Sequence, residues 1–414
     1  MPLSASILDL ALASHRFCAF VCLHMFYASA MLPPHNGSLP IVTLSNGQVL
    51  PLVGLGCAQG LRTRHVLSAL QAGYRHLDTA QEHRWGYHEE DVGEAVEKSS
   101  LPRADVHIQT KVRPQDLGYH STENSLKTSL ERLRTGYVDS VLIHKPTCFG
   151  GVCSNPEGTW QDSWRALEEA YDAGQVRAIG ICDVSNGIMD ELLRQRHKPH
   201  IIQNWMDPLH QDKSMRARCQ KEGIQYQAYS TLGTQWLMQG HRQNPVLTNP
   251  TLRKIAAAHQ REVAQVIINW ATRHGVAVIP ASKSPSRQQS NLASFDFNLS
   301  DEEMSIIDSL DGKAPEPDQQ REDTLEVVFE NPGQSAVKCF YLDEHGHETF
   351  IGDLAVAGGQ LRLRTFAGHR FRFKHAGQAF FEHVMSAGHA SSRTVVLPLT
   401  SAPAVQKITG QLDL

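Results

Sequence analysis

The stretch HLDTAQEHRWGYHEEDVG, residues 76–93, shows the unit from which most of this chain is built. It begins as a short buried strand that ends in the carboxylate of Asp78, and it finishes in a helix that contains Val92 and Gly93. A buried strand that is followed by a helix is typical of a parallel sheet, in which helices connect successive strands. The loop between the two offers three candidate proton donors: His83, Trp85 and Tyr87.

The same alternation of strand and helix occurs eight times. The strand runs are LVGLGCA, YRHLDTA, VHIQTK, SVLIHK, VRAIGIC, HIIQNW, IQYQAYS and VAVIPAS. Between the strand runs, apolar residues recur at i, i+4 and i+7, which predicts helices with one buried face. Examples are Leu126, Leu130 and Leu133, and Trp160, Trp164 and Leu167. Eight such units fit a closed (β/α)8 TIM barrel better than an open sheet, with a β-hairpin before it at residues 41–56, around Ser45-Asn46-Gly47.

Composition excludes some classes of function. The chain has 414 residues, and 39 Lys plus Arg against 43 Asp plus Glu give a net charge of -4, which predicts no nucleic-acid partner. Its eight cysteines form no CxxC pair, so we expect reduced thiols in a reducing compartment and no metal site. We therefore expect a cytoplasmic protein.

The ends of the chain differ in character from the barrel. Residues 1–38 read as a disordered or targeting leader whose apolar run, 17–31, is too short to span a membrane but leaves signal or organelle targeting open. The barrel is predicted for 39–313. A Pro-rich, charged linker follows at 314–324, then a small all-β sandwich at 325–402 and a tail at 403–414.

Polar side chains end the predicted barrel strands, and in this fold those ends form one rim where active sites lie. A buried Lys beside an Asp is normally a structural ion pair. Here a His accompanies them, and an ammonium close to a phenol or imidazole lowers its pKa and prepares it as a proton donor. The strand-end residues are Asp78, Lys111, His144, Cys182, Asp183, Gln203, Tyr229, Ser230 and Ser282.

These residues and their surroundings resemble the aldo-keto reductases from about residue 41 to 312. The matching pieces are GYRHLDTA, IQTK, YVDSVLIHKP, RAIG, IIQN, AYSTLG and IPASKSPSRQQSNLASFDFNLSDEEM, in order and spacing. The resemblance implies that NADPH delivers hydride to a carbonyl carbon while a Tyr, Lys, Asp and His tetrad protonates the oxygen. It assigns Asp78, Lys111 and His144 directly, and a donor aimed at the developing alkoxide stabilises the transition state.

The tyrosine of the tetrad is ambiguous, because the loop has about three extra residues. Counting from Asp78 places the family position at His83, whereas counting back from the helix places it at Gly86, next to Tyr87. We favour Tyr87, which keeps the phenol chemistry. His83 as a replacement acid and the absence of a competent acid stay open.

The cofactor positions also depart from the family. Cys182 and Asp183 stand where a Ser-Asn pair holds the nicotinamide carboxamide, and an ionised Asp cannot donate to its carbonyl. Ala281 replaces the phosphate-binding Lys, with Lys283 two residues along, and arginine suits a 2′-phosphate, which favours NADPH over NADH. The resemblance assigns the other cofactor contacts to Gln203, Tyr229, Ser230, Ser282, Arg287 and Asn291.

Residues 326 to about 400 resemble the β domain of the von Hippel-Lindau tumour suppressor, through FENP, RTFAGHRFRF and HAG. In that family an aromatic slot with a Ser and a His binds a hydroxyproline-containing peptide. The resemblance implies a prolyl or hydroxyprolyl peptide as partner, held by the polar pair Thr365 and His369. Its walls would be Phe371, Tyr341 and Phe350, which otherwise serve as ordinary core.

Two functions therefore remain open. The first is an NADPH-dependent reductase of an aldehyde or ketone with a tethered peptide-binding domain. The second is a binding or scaffold protein whose barrel keeps its shape but turns over poorly, because the altered acid loop and the Cys182-Asp183 pair both touch groups that must be positioned for transfer.

Overall fold

The computed structural model describes residues 39–148, 153, 156–316, 324–343, 346–366, 369–385, 392–398 and 406–408. The expected leader, residues 317–323 of the expected linker and most of the expected tail lie outside these ranges. The chain divides into two compact units, Met1–Gln239 with Gln243–Pro315, and Gly240–Arg242 with Glu316–Leu414.

The first unit is the predicted barrel. Its eight strands pair in parallel in chain order, and a bridge between Val53 and Val278 joins the last strand to the start of the first. Two backbone bonds close this seam: Gly54 N donates to Val278 O at 2.8 Å and Val278 N donates to Leu52 O at 2.7 Å. The strands are β3 (Leu55–Gly56), β4 (His76–Asp78), β5 (His107–Val112), β6 (Ser140–Ile143), β7 (Ile179–Cys182), β8 (Ile201–Trp205), β9 (Gln225–Tyr229) and β10 (Ala277–Val278).

The predicted hairpin precedes the barrel and covers the amino-terminal ends of its strands. Its strands are β1 (Ile41–Thr43) and β2 (Val49–Pro51). Leu44, Leu50 and Leu52 are buried in one cluster with barrel residues at that end, such as Ala178 and Ala277. Apolar burial thus anchors the hairpin and fills this end of the barrel.

The barrel helices follow the predicted apolar stripes. Trp160, Trp164 and Leu167 are all buried on one face of one helix, which begins with a capping box at Thr159. The helices are α1 (Thr63–Ala72), α2 (Glu89–Lys98), α3 (Tyr119–Arg132), α4 (Trp160–Asp172), α5 (Asn186–Leu192), α6 (Lys213–Glu222), α7 (Thr234–Met238), α8 (Pro250–Ala258), α9 (Val263–Arg273), α10 (Pro285–Leu292) and α11 (Asp301–Asp308).

The secondary structure of the described residues from 324 onwards consists of β-strands. Two sheets, of order β14-β11-β17 and β13-β12-β15-β16-β18, share a core that contains Phe329 and Phe373. Six runs of the sequence alternate at period two and predict strands that are present: EVVFENP, AVKCFYL, ETFIGDL, QLRLRTF, HRFRFKH and RTVVLPL. The pattern missed two further strands, β16 and β18. The strands are β11 (Thr324–Asn331), β12 (Val337–Leu342), β13 (Glu348–Leu354), β14 (Gly359–Phe366), β15 (Arg370–His375), β16 (Gln378–Val384), β17 (Ser392–Val396) and β18 (Gln406–Ile408).

The cysteines differ in part from the expectation. Cys148 and Cys153 form a disulfide, so the prediction of reduced thiols is wrong for this pair. The loop after β6 brings their Cα atoms to 5.7 Å, within the usual range for a bridge. The free thiols among the described residues are buried: Cys57, Cys182, Cys219 and Cys339. In the part of the chain that the structure describes, no helix is long and apolar enough to cross a membrane.

Candidate active site

A cavity of about 540 Å³ opens at the carboxyl ends of the barrel strands, where the fold predicts an active site. Asp78 ends β4, Lys111 is the second-last residue of β5, and His144 directly follows β6. Asp78 pairs with Gln109, two residues before Lys111, and Lys111 pairs with Leu142, two residues before His144. The three side chains therefore lie on neighbouring strands at the same rim of the barrel. The cavity is lined by residues of the predicted site, including Asp78, Tyr87, His144, Cys182, Asp183, Gln203, Tyr229 and Ser230, together with Trp85 and Lys145.

An ion pair lies at the base of this site. Lys111 Nζ donates to both Asp78 oxygens, at 2.7 and 2.6 Å, and to Thr79 O at 3.0 Å. Both side chains are fully buried. Burial alone would favour the neutral amine, but the Asp78 carboxylate outweighs it and raises the pKa of Lys111 above its ordinary value. Lys111 is therefore a fixed cation.

The phenol of Tyr87 stands next to this cation. Lys111 Nζ lies 5.1 Å from the centroid of the Tyr87 ring, and the His144 ring centroid lies 5.7 Å from it. Burial raises the pKa of Tyr87 to about 12, while Lys111 acts in the opposite direction and lowers it. The ring therefore holds its proton at neutral pH, beside a charge that favours release of that proton.

The loop conformation explains how Tyr87 reaches the cavity. Residues His83–Trp85 form a 3-10 turn that absorbs the extra loop residues and ends at Gly86, which has a φ of 76°. The backbone then docks on the segment after β3, because Gln59 N donates to Trp85 O at 3.0 Å and Gly60 N donates to Gly86 O at 2.8 Å. His83 is exposed and does not line the cavity.

His144 completes the polar wall. Its side chain is buried, and Nδ1 makes no hydrogen bond within the described part of the chain. Burial, with the nearby charges of Lys111 and Lys145, lowers the pKa of His144 well below its ordinary value. The imidazole is therefore neutral. The Trp85 ring packs edge-on against it at 4.7 Å between centroids.

Asp183 contacts both Tyr229 and Lys145, and the sequence did not predict the contact with Lys145. Tyr229 OH donates to Asp183 Oδ1 at 2.8 Å, and Lys145 Nζ pairs with the other carboxylate oxygen. Lys145 therefore offsets the negative charge that replaces the asparagine of the family pattern. Its position directly after His144 in the LIHKP segment was the available signal. The neighbouring Ser185 caps helix α5 by accepting from Ile188 N.

Gln203 lies at the cavity but its amide turns into the barrel. Gln203 Nε2 donates to Asp78 Oδ1 at 3.1 Å and to Gln227 Oε1 at 2.9 Å. The Cys182 thiol donates to Gln203 Oε1 at 3.6 Å. Both side chains therefore connect the cavity wall to the Asp78–Lys111 pair.

The residues that were predicted to bind the phosphate end of the cofactor lie around helix α10. Ser282 is buried, Lys283 and Arg287 are exposed, and Ser284 caps the helix by accepting from Arg287 N. Asn291 is buried one turn further on, against the Tyr74 hydroxyl. The two cations Lys283 and Arg287 near the start of this helix are suited to a phosphate group. None of Ser282, Arg287 and Asn291 lines the 540 Å³ cavity itself.

Comparison with known proteins agrees with this arrangement. The model of the aldo/keto reductase family matches residues 60–312. The chain belongs to the aldo/keto reductase family. A glyoxal reductase of Bacillus subtilis is 37% identical over 286 residues, which cover 67% of this chain and 96% of that protein.

Solved aldo/keto reductases share the fold of this one. A structure from Brucella melitensis is 34% identical, has a TM-score of 0.59, and the match covers 66% of this chain and all of that one. A Bombyx mori aldo-keto reductase, solved in complex with NADP, is 26% identical with a TM-score of 0.61, covering 67% of this chain and 94% of that chain. This family membership makes the barrel an oxidoreductase fold of known type.

The β unit of this aldo/keto reductase gathers four of its predicted residues. The Thr365 hydroxyl lies 3.0 Å from His369 Nδ1, and the Tyr341 ring lies 5.1 Å from His369 and 6.1 Å from Phe371. The expectation for Phe350 is wrong. The Phe350 ring packs on Phe340, with 5.6 Å between the ring centroids. Phe340 precedes Tyr341 in the same strand, and successive side chains of a strand point to opposite faces. Phe350 therefore lies on the face of the sheet opposite to Tyr341.

Proposed function

We propose that this chain is an NADPH-dependent reductase of aldehydes or ketones, with Asp78, Tyr87, Lys111 and His144 as its catalytic residues. The observation that carries the proposal is the cavity in which a protonated phenol and a neutral imidazole meet above a buried ammonium–carboxylate pair. Reduction of a carbonyl requires a hydride for the carbon and a proton for the oxygen. The Tyr87 phenol provides that proton.

Each of the four groups has a distinct part in the proton transfer. Tyr87 OH donates to the carbonyl oxygen as negative charge develops there. Lys111 stabilises the resulting phenolate, because its ammonium is fixed near the ring by Asp78. The neutral His144 orients the substrate oxygen towards Tyr87 by hydrogen bonding. Burial, together with the charges of Lys111 and Lys145, lowers the pKa of His144 and keeps the imidazole neutral.

The cofactor is NADPH, which supplies the hydride when bound. The strand ends suit its nicotinamide: Tyr229 offers a ring face at the cavity, and the paired Asp183 and Lys145 offer an acceptor and a donor for the carboxamide. Ser282, Arg287 and the start of α10 would hold the 2′-phosphate, with Lys283 close by. The Bombyx mori relative was solved in complex with NADP, which supports NADPH as the cofactor.

The test uses two substitutions in the full chain, with NADPH oxidation followed over a panel of aldehydes. Tyr87→Phe removes the proton donor and keeps the ring, so kcat falls by about 100-fold or more. His83→Ala changes an exposed side chain outside the cavity, so turnover stays within about threefold of the wild type. Unchanged turnover in Tyr87→Phe would end the assignment of the acid.

The same assay separates the reductase from a barrel that only binds. A binding or scaffold protein would take up NADPH, as followed by quenching of tryptophan fluorescence, without oxidising it in the presence of any aldehyde. The Lys145–Asp183 pair supports the reductase, because it restores charge balance at the position where the family pattern is broken.

A second function is supported by the cluster in the β unit. We infer that Tyr341, Thr365, His369 and Phe371 form a slot for a prolyl or hydroxyprolyl peptide, as in the von Hippel-Lindau β domain. The Thr365–His369 contact offers a polar pair, and Phe371 is buried as a floor beside Tyr341. Calorimetric titration of the full chain should give tighter binding of the hydroxylated peptide. Equal affinity for both peptides, or no change in His369→Ala, would contradict the slot.

A further inference from the structure

The loop that carries Tyr87 also brings together two imidazoles and a carboxylate outside the catalytic group. One ligand atom from each of His83, His88 and Glu90 lies within 4.8 Å of the others. The His83 and His88 ring centroids are 5.3 Å apart, and His88 Nδ1 is 3.4 Å from Glu90 Oε1. We propose that these three residues form a binding site for a zinc ion.

The donor set and the exposure suit this ion. Zinc in proteins takes imidazole and carboxylate ligands in a tetrahedral arrangement, and a set of two histidines and one glutamate leaves the fourth position to water. Tetrahedral bonds of about 2.0 Å separate ligand atoms by about 3.3 Å, so these side chains need to close by at most about 1.5 Å. The side chain of Glu90 is 47% exposed and His83 lies at the surface, so both side chains have room to rotate towards a shared ion.

The backbones that carry the ligands are already fixed. His83 opens the 3-10 turn, where Gly86 N donates back to His83 O at 2.9 Å. His88 is the N-cap residue of α2 and makes no capping hydrogen bond through its side chain, while Glu90 lies in the first turn of that helix. Ligand residues on two fixed elements lose less conformational freedom when they bind an ion than ligand residues on a flexible loop would.

Neighbouring charges leave the site open to a cation. Arg62 is a cation whose charge acts on His88, but its guanidinium pairs with Asp91 at 2.9 Å. Glu82 is engaged elsewhere, since its carboxylate accepts from Arg84 N at 3.2 Å and from Gln115 Nε2 at 3.0 Å. Among the described residues, the ion would therefore take its side-chain ligands from His83, His88 and Glu90.

Binding would tie together the two ends of the short segment that contains Trp85 and Tyr87. His83 stands two residues before Trp85, and His88 directly follows Tyr87. The zinc ion thus closes a small loop at the edge of the cavity and stabilises the folded chain by mass action. This role does not rest on the reductase activity.

Calorimetric titration of the full chain with zinc chloride, in chelator-treated buffer without reductant, tests the site. We expect one zinc per chain to bind at these three residues. Each of His83→Ala, His88→Ala and Glu90→Gln should weaken binding at least about tenfold, since loss of outer partners alone costs about that much. His120→Ala is the matched control: His120 is an exposed histidine 2.9 Å from Glu123, and it should leave the affinity unchanged.

Cobalt provides a second readout that does not depend on calorimetry. Tetrahedral Co²⁺ absorbs strongly in the visible range, so the wild type should show this band and lose it in His83→Ala, while His120→Ala keeps it. Circular dichroism checks that each variant is folded. The proposal is overturned if the wild type shows no saturable binding at about 100 μM zinc, or if the His83 and His88 variants bind as tightly as the wild type.

Discussion

The buried pair of Lys111 and Asp78 makes it possible to separate stability from catalysis. Lys111→Met removes the cation but keeps an apolar chain of similar length. Asp78 would then be a buried carboxylate that still accepts from Gln109 Nε2 at 2.5 Å and from Gln203 Nε2 at 3.1 Å. Breaking a buried ion pair costs about 3–5 kcal/mol, and because these two donors remain, we expect the lower value, about 3 kcal/mol.

A loss of about 3 kcal/mol lowers the thermal midpoint of a domain of this size by about 6–12 °C. Lys127→Met, which changes an exposed lysine on α3, should leave the midpoint within about 1 °C. The double variant Asp78→Asn with Lys111→Met removes the uncompensated charge. It should therefore recover at least half of the lost stability.

Turnover should behave differently from stability. Lys111 lowers the pKa of the Tyr87 phenol, so its loss weakens the proton donor in the single and the double variant alike. We expect kcat to fall by about 100-fold or more in both, measured as NADPH oxidation with an aldehyde at a temperature where each variant is folded. If the double variant regained turnover together with stability, Lys111 would have a structural role only, and the proposed proton transfer would be refuted.

Three further predictions test the loop, the Lys145–Asp183 pair and a buried histidine. Gly86→Ala should lower both the stability and kcat, because the added Cβ would lie 2.4 Å from the backbone nitrogen of Gly60. Gly174 has a similar φ of 73° but lies in open space, so Gly174→Ala should cost only about 1 kcal/mol of stability and no activity. Lys145→Met should raise the KM for NADPH by about threefold to tenfold, and adding Asp183→Asn should restore it, since the unpaired carboxylate is then gone. Burial lowers the pKa of His76 to about 3, so the unfolded chain takes up a proton that the folded chain refuses, and stability falls as the pH drops from about 6.5 to 3. In urea unfolding at several pH values, His76→Gln should remove about 1.4 kcal/mol per pH unit of that slope, and an unchanged slope would contradict the burial argument.

The barrel could be predicted from the sequence because each strand is a continuous apolar run that ends in a polar residue. Burial on both faces enforces such runs, and the parallel order places their last residues on one rim. Asp78, Lys111 and His144 were therefore placed together by position alone. Of the two strands that the pattern missed, β16 has adjacent Phe380 and Phe381, which disturb the alternation of period two. The pairing of β15 with β16 shifts register between Phe373 and Lys374.

The remaining features depend on loop conformation and on contacts between distant segments. The count of residues could not decide between Tyr87 and His83, because a 3-10 turn and one left-handed glycine take up the extra length. Lys145 was missed because its partner, Asp183, lies 38 residues away along the chain. The disulfide was missed because a spacing of five residues between Cys148 and Cys153 has no diagnostic meaning in a loop.

The hairpin before the barrel has a kinetic consequence. Because Leu44, Leu50 and Leu52 plug the amino-terminal end, the mouth at the opposite end serves as entrance and exit for both reactants within the described part of the chain. Any compound that reaches Asp78 and Tyr87 must therefore enter and leave through the opening at the carboxyl ends of the strands.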